Sequence, residues 1–217
     1  MNYIGKIFLG LLILLFTAVS FNAFGQQKVV PPPESDRTST SSYNFRFLAR
    51  AELGLAHGNH TIDELEFTGL AFPIDIILGV TIFPKTYMHG EFGVIIMDRP
   101  NYTFDYIDYE LEGTLAMFDV GLGLTVYPFP QKIYASATVY GTSMVSFLGE
   151  ETYNSSIGAA FSLKGGIDFM LGSGFSVGFC AFLYYAGMKD QEDDFGYQAQ
   201  INNLVVGVCL TTTLGNL

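Results

Sequence analysis

The chain has 217 residues, of which 49% are hydrophobic and only 14% charged, against about 25% charged in an ordinary globular domain. Lys and Arg number 10 against 21 Asp and Glu, a net charge of −11, which excludes a nucleic-acid-binding face, since such a face is basic. Beyond residue 25 no apolar run approaches the ~18 residues of a membrane-spanning helix.

The first 25 residues read as a secretory signal. Lys6 supplies the positive start, Ile7 to Val19 form the apolar core, and Ala23-Phe24-Gly25 fits a small-x-small cleavage site. Cleavage leaves Gln26 first. Residues 26–42, QQKVVPPPESDRTSTSS, are Pro- and Ser/Thr-rich without periodicity and read as a flexible tether. Residues 43–217 form the folded domain.

That domain alternates. In the first strand, residues 43–56, Phe47, Ala49, Ala51, Leu53 and Leu55 share a face opposite Arg46, Leu48, Arg50 and Glu52; residues 57–64 read as a polar loop. The second strand, 65–83, turns Leu70, Phe72, Ile74, Ile76, Leu78 and Val80 outward and Asp75, Gly79 and Thr81 inward. Pro73 belongs at an irregularity there, because it cannot donate to a ladder. After a tight turn at Pro84-Lys85, the third strand carries Phe92, Val94 and Ile96 outward and His89, Glu91 and Gly93 inward.

Residues 98–112, DRPNYTFDYIDYELE, are an acidic, Tyr-rich excursion. Strands four and five follow in FDVGLGLTVYPFPQKIYASATVYG, residues 118–141, with Phe118, Val120, Leu122 and Leu124, then Ile133, Ala135, Ala137 and Val139, on one face. Asp119, Gly121, Gly123, Thr125 and Tyr127, then Tyr134, Ser136, Thr138 and Tyr140, take the other. A polar loop at 149–155 leads to the sixth strand, 156–171, with Lys164 and Asp168 inward. A Gly172-Ser173-Gly174 turn, the seventh strand at 175–187, an acidic loop at 188–197 and the eighth strand at 198–214 complete the count.

The non-apolar face is Gly, Ser, Thr and Tyr with little Lys or Glu, which suits the narrow inside of a barrel and leaves the apolar face for lipid. A soluble lipocalin-like barrel would carry a charged outer face. The reading is therefore all-β: an eight-stranded antiparallel up-and-down transmembrane β-barrel, with connections alternately long and short and the long ones outside the cell.

The signal peptide, the eight alternating strands and phrases such as GLGLTVYP and VGVCLTTTLGNL resemble small outer-membrane β-barrels of the OmpA/OmpX type, and are particularly similar to barrels of Bacteroidetes. The resemblance implies export to the bacterial outer membrane, contact with its lipid and with the envelope assembly machinery, and a structural, adhesive or surface-interaction role. It carries no catalytic motif and no cofactor. Chains of that type commonly end in an aromatic residue; this one departs from the pattern with Leu214-Gly215-Asn216-Leu217.

Parity sends Arg46, Arg50 and Lys164 inward to face Glu52, Asp75, Glu91, Asp119 and Asp168, with His89 among them and Tyr127, Tyr134 and Tyr140 as bulk. Buried charges must pair, so the inside reads as a plug rather than a pore. Cys180 and Cys209 share inward parity and lie equidistant from the turn between strands seven and eight, which makes them a close pair or a disulfide. Tyr102, Asp105, Tyr106, Asp108 and Tyr109 are candidate external contacts for a sugar or a divalent cation, against the plainer reading of a solvated loop with an aromatic girdle. His57, His60 and Asp63 are a weak metal pattern, outweighed by solvated loop side chains. Three Asn-x-Ser/Thr triplets begin at Asn59, Asn101 and Asn154 and match what chance gives in polar loops. The alternative to a non-enzymatic barrel is a lipid-binding or lipid-modifying barrel acting on lipid A or another outer-leaflet lipid; no local His-x-Ser arrangement supports it.

Overall fold

The computed structural model describes residues 46–217 except 64, 105–106, 111, 130–131, 149–150, 173, 191–197 and 216–217. The expected signal, the tether and residues 43–45 lie outside the described residues. The elements are β1 (Phe47–Ile62), β2 (Leu65–Phe83), β3 (Thr86–Asp98), β4 (Asn101–Phe104), β5 (Ile107–Glu110), β6 (Gly113–Val126), β7 (Ile133–Leu148), β8 (Glu151–Asn154), β9 (Gly158–Gly172), β10 (Phe175–Lys189) and β11 (Gln200–Gly215).

Eight of these close a ring in the order β1-β2-β3-β6-β7-β9-β10-β11, every neighbour antiparallel. The seam is β1 against β11, paired without a break from Leu48↔Gly215 to Ile62↔Ile201. The remaining three strands are short additions at the end of the barrel away from Leu48 and Gly215, here called the outer end. There β4 pairs β2 through Phe67↔Tyr102 and Thr68↔Asn101, β5 pairs β4, and β8 pairs β7. The fold is an up-and-down barrel.

Period 2 decides which residues meet which medium. One outward residue from each ring strand illustrates it: Leu55, Leu78, Phe92, Leu122, Val139, Leu163, Phe179 and Val208 are all 50–70% exposed. Residues of the opposite parity on the same strands are turned inside and buried, as with Arg50 and Glu52 in β1, His89 and Glu91 in β3, and Lys164 and Asp168 in β9. An apolar belt of this extent around the whole circumference far exceeds the few hundred Å² that a soluble monomer exposes.

Several outer-end expectations are corrected. The stretch 57–64 is not a loop: β1 runs on to Ile62, and only Asp63 and residue 64 link it to β2. Asp63 turns the chain with φ 51°, while its N–H donates to the Gln200 carbonyl and its carboxylate accepts the Gln200 N–H. Connections at that end are therefore not uniformly long. Within 98–112, Asp98 ends β3 and Asn101–Phe104 pairs Ile107–Glu110 as the β4–β5 hairpin, 149–155 contain β8, and Met188 and Lys189 still belong to β10. The cause is common to all four: backbone groups pair whatever the side chains, so ladders continue beyond the apolar belt where the residues turn polar.

Pro73 interrupts hydrogen bonding only on its β1 side. Pairing is broken between Leu53↔Ile74 and Ala56↔Ala71 and resumes in the same register, and the ladder to β3 runs through Pro73↔Ile95. Gly54 lies opposite, where a Cβ would come within 2.6 Å of the proline ring.

Candidate functional site

The inside of the barrel is organised around two cations. Arg50 on β1 donates from Nη2 to Asp168 Oδ2 at 2.7 Å and to the Tyr127 hydroxyl at 2.5 Å, and from Nε to Thr213 Oγ1 at 2.9 Å. Tyr127 in turn donates to the same carboxylate oxygen at 2.9 Å, and the guanidinium lies 3.8 Å from the centre of the Tyr134 ring. The site sits on rigid neighbours. Gly166, opposite Tyr134 in the β7–β9 ladder, has no side chain, which leaves space for that ring: a Cβ there would lie 2.5 Å from Tyr134 Cζ.

Lys164 on β9 forms the second cluster. Its three ammonium donors go to three carboxylates on three strands: Glu52 Oε2 on β1 at 2.7 Å, Asp75 Oδ2 on β2 at 2.7 Å and Glu91 Oε1 on β3 at 2.6 Å. An ammonium has three protons and no more, so this arrangement uses it fully. Glu91 Oε2 accepts from Thr138 at 2.9 Å, and the hydroxyl proton being spent there, His89 Nε2 must donate to Thr138 Oγ1 across 3.0 Å. Thr125 meets the other ring nitrogen at 3.2 Å. Asp119 has no ion pair among the described residues; it accepts from Tyr184 at 2.7 Å, and Thr142 lies 3.2 Å from the same hydroxyl. Tyr140 and Ser162 share a hydrogen bond of 2.7 Å.

The structure thus brings together Arg50, Glu52, Asp75, His89, Glu91, Asp119, Lys164 and Asp168 inside the barrel. Arg46 is not among them. It precedes β1, is exposed, and contributes its carbonyl to the Thr81 N–H and hydroxyl. Above Lys164 a void of about 10 Å³ touches Asp75, Asp119 and Tyr184, room for about one water. The hydroxyl partners Thr138, Thr142, Ser162, Tyr184 and Thr213 were missed by charge counting, although their inward parity was readable.

Cys180 and Cys209 lie directly opposite in the β10–β11 ladder with Cα atoms 5.1 Å apart, and they are joined as a disulfide. Glu52 lies beside them, with a carboxylate oxygen within 4.8 Å of both sulfurs.

The histidine pattern does not converge. His57 is exposed on the outer face while His60, three residues on, is buried inside and bonded to Asn203; an odd spacing on a strand puts two side chains on opposite faces. Of the external tyrosine group, Tyr102 packs against Phe67 with ring centres 5.7 Å apart. Tyr109 is its register partner and Asp108 pairs Thr103, while Asp105 and Tyr106 lie outside the described residues.

At the outer mouth is a cavity of about 210 Å³. Its lining comes from β1 and β11 on one side, with Ile62 and Ile201, and from β7 and β8 on the other, with Met144, Ser146, Tyr153 and Asn154; Ser155 and Asp190, joined by an isolated bridge, complete it. β1 and β7 are four steps apart in a ring of eight, so the cavity spans the mouth from wall to wall.

The class defined by this ring and its filled interior is an eight-stranded antiparallel barrel closed by its own side chains. No protein-family model matches the chain, and no curated protein matches it. Among solved structures it is similar to Neisserial surface protein A, with 13% identity over 76% of this chain and 95% of that one and a TM-score of 0.44. It is also similar to Ail, the attachment invasion locus protein of Yersinia pestis, solved with the heparin analogue sucrose octasulfate, with 10% identity, 76% and 98% coverage and a TM-score of 0.45. A third is the outer membrane protein OprG from Pseudomonas aeruginosa, with 10% identity, 78% and 95% coverage and a TM-score of 0.39.

Proposed function

We propose that the protein is an integral barrel of the bacterial outer membrane that works as a closed scaffold, offering its outer rim to a surface or adhesive contact rather than passing solutes. The observation that carries this reading is the pairing of an apolar belt on all eight ring strands with an interior tied across by Lys164 and Arg50. The belt needs lipid. The ties cross the lumen from wall to wall, and the void lined by Lys164, Asp75 and Asp119 has room for about one water.

In this reading the barrel is a scaffold and not an enzyme, as its sequence carries no catalytic motif. Its partners in this reading are outer-membrane lipid and the envelope assembly machinery.

Membrane fractions washed with alkaline carbonate should retain the protein, and detergent should release it; release by carbonate alone overturns the membrane reading. Purified protein in a planar bilayer should give no steady conductance. A reproducible open level from the wild-type monomer would make the charged interior a permeation path.

A further inference from the structure

We infer that the inner rim of the barrel, the end at which Leu48 and Gly215 meet, binds anionic phospholipid headgroups. Three cations stand there: Arg46 just before β1, Lys85 in the β2–β3 turn and Lys132 between β6 and β7, all exposed. Backbone hydrogen bonds fix them at that end, since the carbonyls of Arg46, Lys85 and Lys132 accept the N–H groups of Thr81, Tyr127 and Asp168. None of the three cations has an ion-pair partner among the described residues. No described carboxylate is exposed at that rim either; Asp168, whose backbone meets Lys132, turns its side chain inside onto Arg50. The outer end is different, with Glu66, Asp98 and Glu112 exposed alongside Arg99 and Lys189.

The surroundings of the three cations narrow the partner. Each borders the apolar belt: Phe47 beside Arg46, Phe83 beside the Pro84-Lys85 turn and Ile133 beside Lys132 are 45–64% exposed. The inference rests on the outer-membrane reading, in which this rim faces the periplasmic leaflet. With the belt in hydrocarbon, the cations lie at headgroup depth, where a long basic side chain keeps its stem on apolar surface and its charge at the phosphates. They follow one arc of the ring, from β1 through β2 and β3 to β6 and β7, and the two turns are two strand steps, about 10 Å, apart. A row at that spacing suits singly charged headgroups packed side by side better than one compact multivalent anion. A zwitterionic headgroup carries an ammonium of its own, which the unpaired cations repel. An anionic polymer in the aqueous space would meet the charges and leave the phenylalanines uncovered.

The test uses the full chain reconstituted in phosphatidylcholine bilayers that contain a trace of spin-labelled phosphatidylglycerol or spin-labelled phosphatidylcholine. Electron spin resonance reads the fraction of each labelled lipid immobilised on the protein. Wild-type protein should retain phosphatidylglycerol about two- to fivefold over phosphatidylcholine, and ~1 M salt should reduce the ratio. The triple variant Arg46→Gln, Lys85→Asn, Lys132→Gln should abolish the preference; Asn suits the φ of 65° at Lys85. Lys189→Gln, at the outer end, should leave it unchanged, and heat-dependent gel mobility verifies that each variant is folded. Equal retention of the two lipids by wild-type protein overturns the inference, and so does a preference that survives the triple variant. Co-sedimentation with isolated peptidoglycan, lost in the triple variant while lipid retention shows no preference, would give the arc to an anionic polymer and overturn the inference as well. A chain that does not enter the bilayer overturns the outer-membrane reading and this inference together. A chain that enters and holds both lipids equally overturns the inference alone.

Discussion

Lys164 Nζ lies 2.7 Å from Asp75 Oδ2, and the two residues sit on β9 and β2, four steps apart in a ring of eight. One ion pair therefore spans the barrel diameter. With Glu52 and Glu91 on the same ammonium, a single side chain holds three other strands at fixed distance.

Replacing Lys164 with Met should leave three carboxylates facing one another in a space closed to bulk water. Removing one partner of a buried pair typically costs about 3–5 kcal/mol, and the loss is read from the urea midpoint of folded protein in micelles. A wild-type midpoint would mean that the cluster contributes nothing to holding the strands.

Arg50→Ala should destabilise by a similar ~3–5 kcal/mol, because Asp168 keeps its burial and loses its cation. Adding Asp168→Asn should restore part of that, since the stranded charge is removed. Additive effects in the double variant would show that the two residues, 2.7 Å apart, are not coupled.

Thiol labelling of denatured, unreduced protein should find no free cysteine, because Cys180 and Cys209 are bonded. Their separation is 29 residues, a loop whose closure contributes about 3–4 kcal/mol in the chain-entropy account. Reduced protein should unfold at lower urea. Two reactive thiols before reduction would contradict the bond.

Gly166→Val should be poorly tolerated although glycine is usually a weak strand former. A Cβ would stand 2.6 Å from the Phe179 carbonyl and 2.5 Å from the Tyr134 ring, so backbone as well as a buried side chain must shift. Overpacking of this kind costs about 1–3 kcal/mol. Gly165→Ala next to it, where a Cβ meets nothing within 4 Å, should be close to neutral by the same urea measurement.

The faces of the strands were legible because parity is a local property: once Leu53 and Leu55 mark the outside of β1, Arg50 and Glu52 are inside. The strand ends were not, because His57 to Ile62 change polarity without changing backbone pairing. Partners across the interior were legible only as classes. That Arg50 meets Asp168 while Lys164 gathers Glu52, Asp75 and Glu91 depends on stagger around the ring, which no single strand encodes. The outer cavity was invisible for the same reason, its lining being drawn from five separate segments, three of which read as loops.

The β1–β11 seam has a consequence for engineering. Leu48 pairs Gly215, so both ends of the described chain emerge at one rim, side by side. A linker of a few residues would join them, and new ends opened at the Pro84-Lys85 or Gly174 turn, which lie at that same rim, would give circular permutants with every ladder intact. A fusion partner attached at either end would stay at the rim opposite the β4–β5 hairpin and β8.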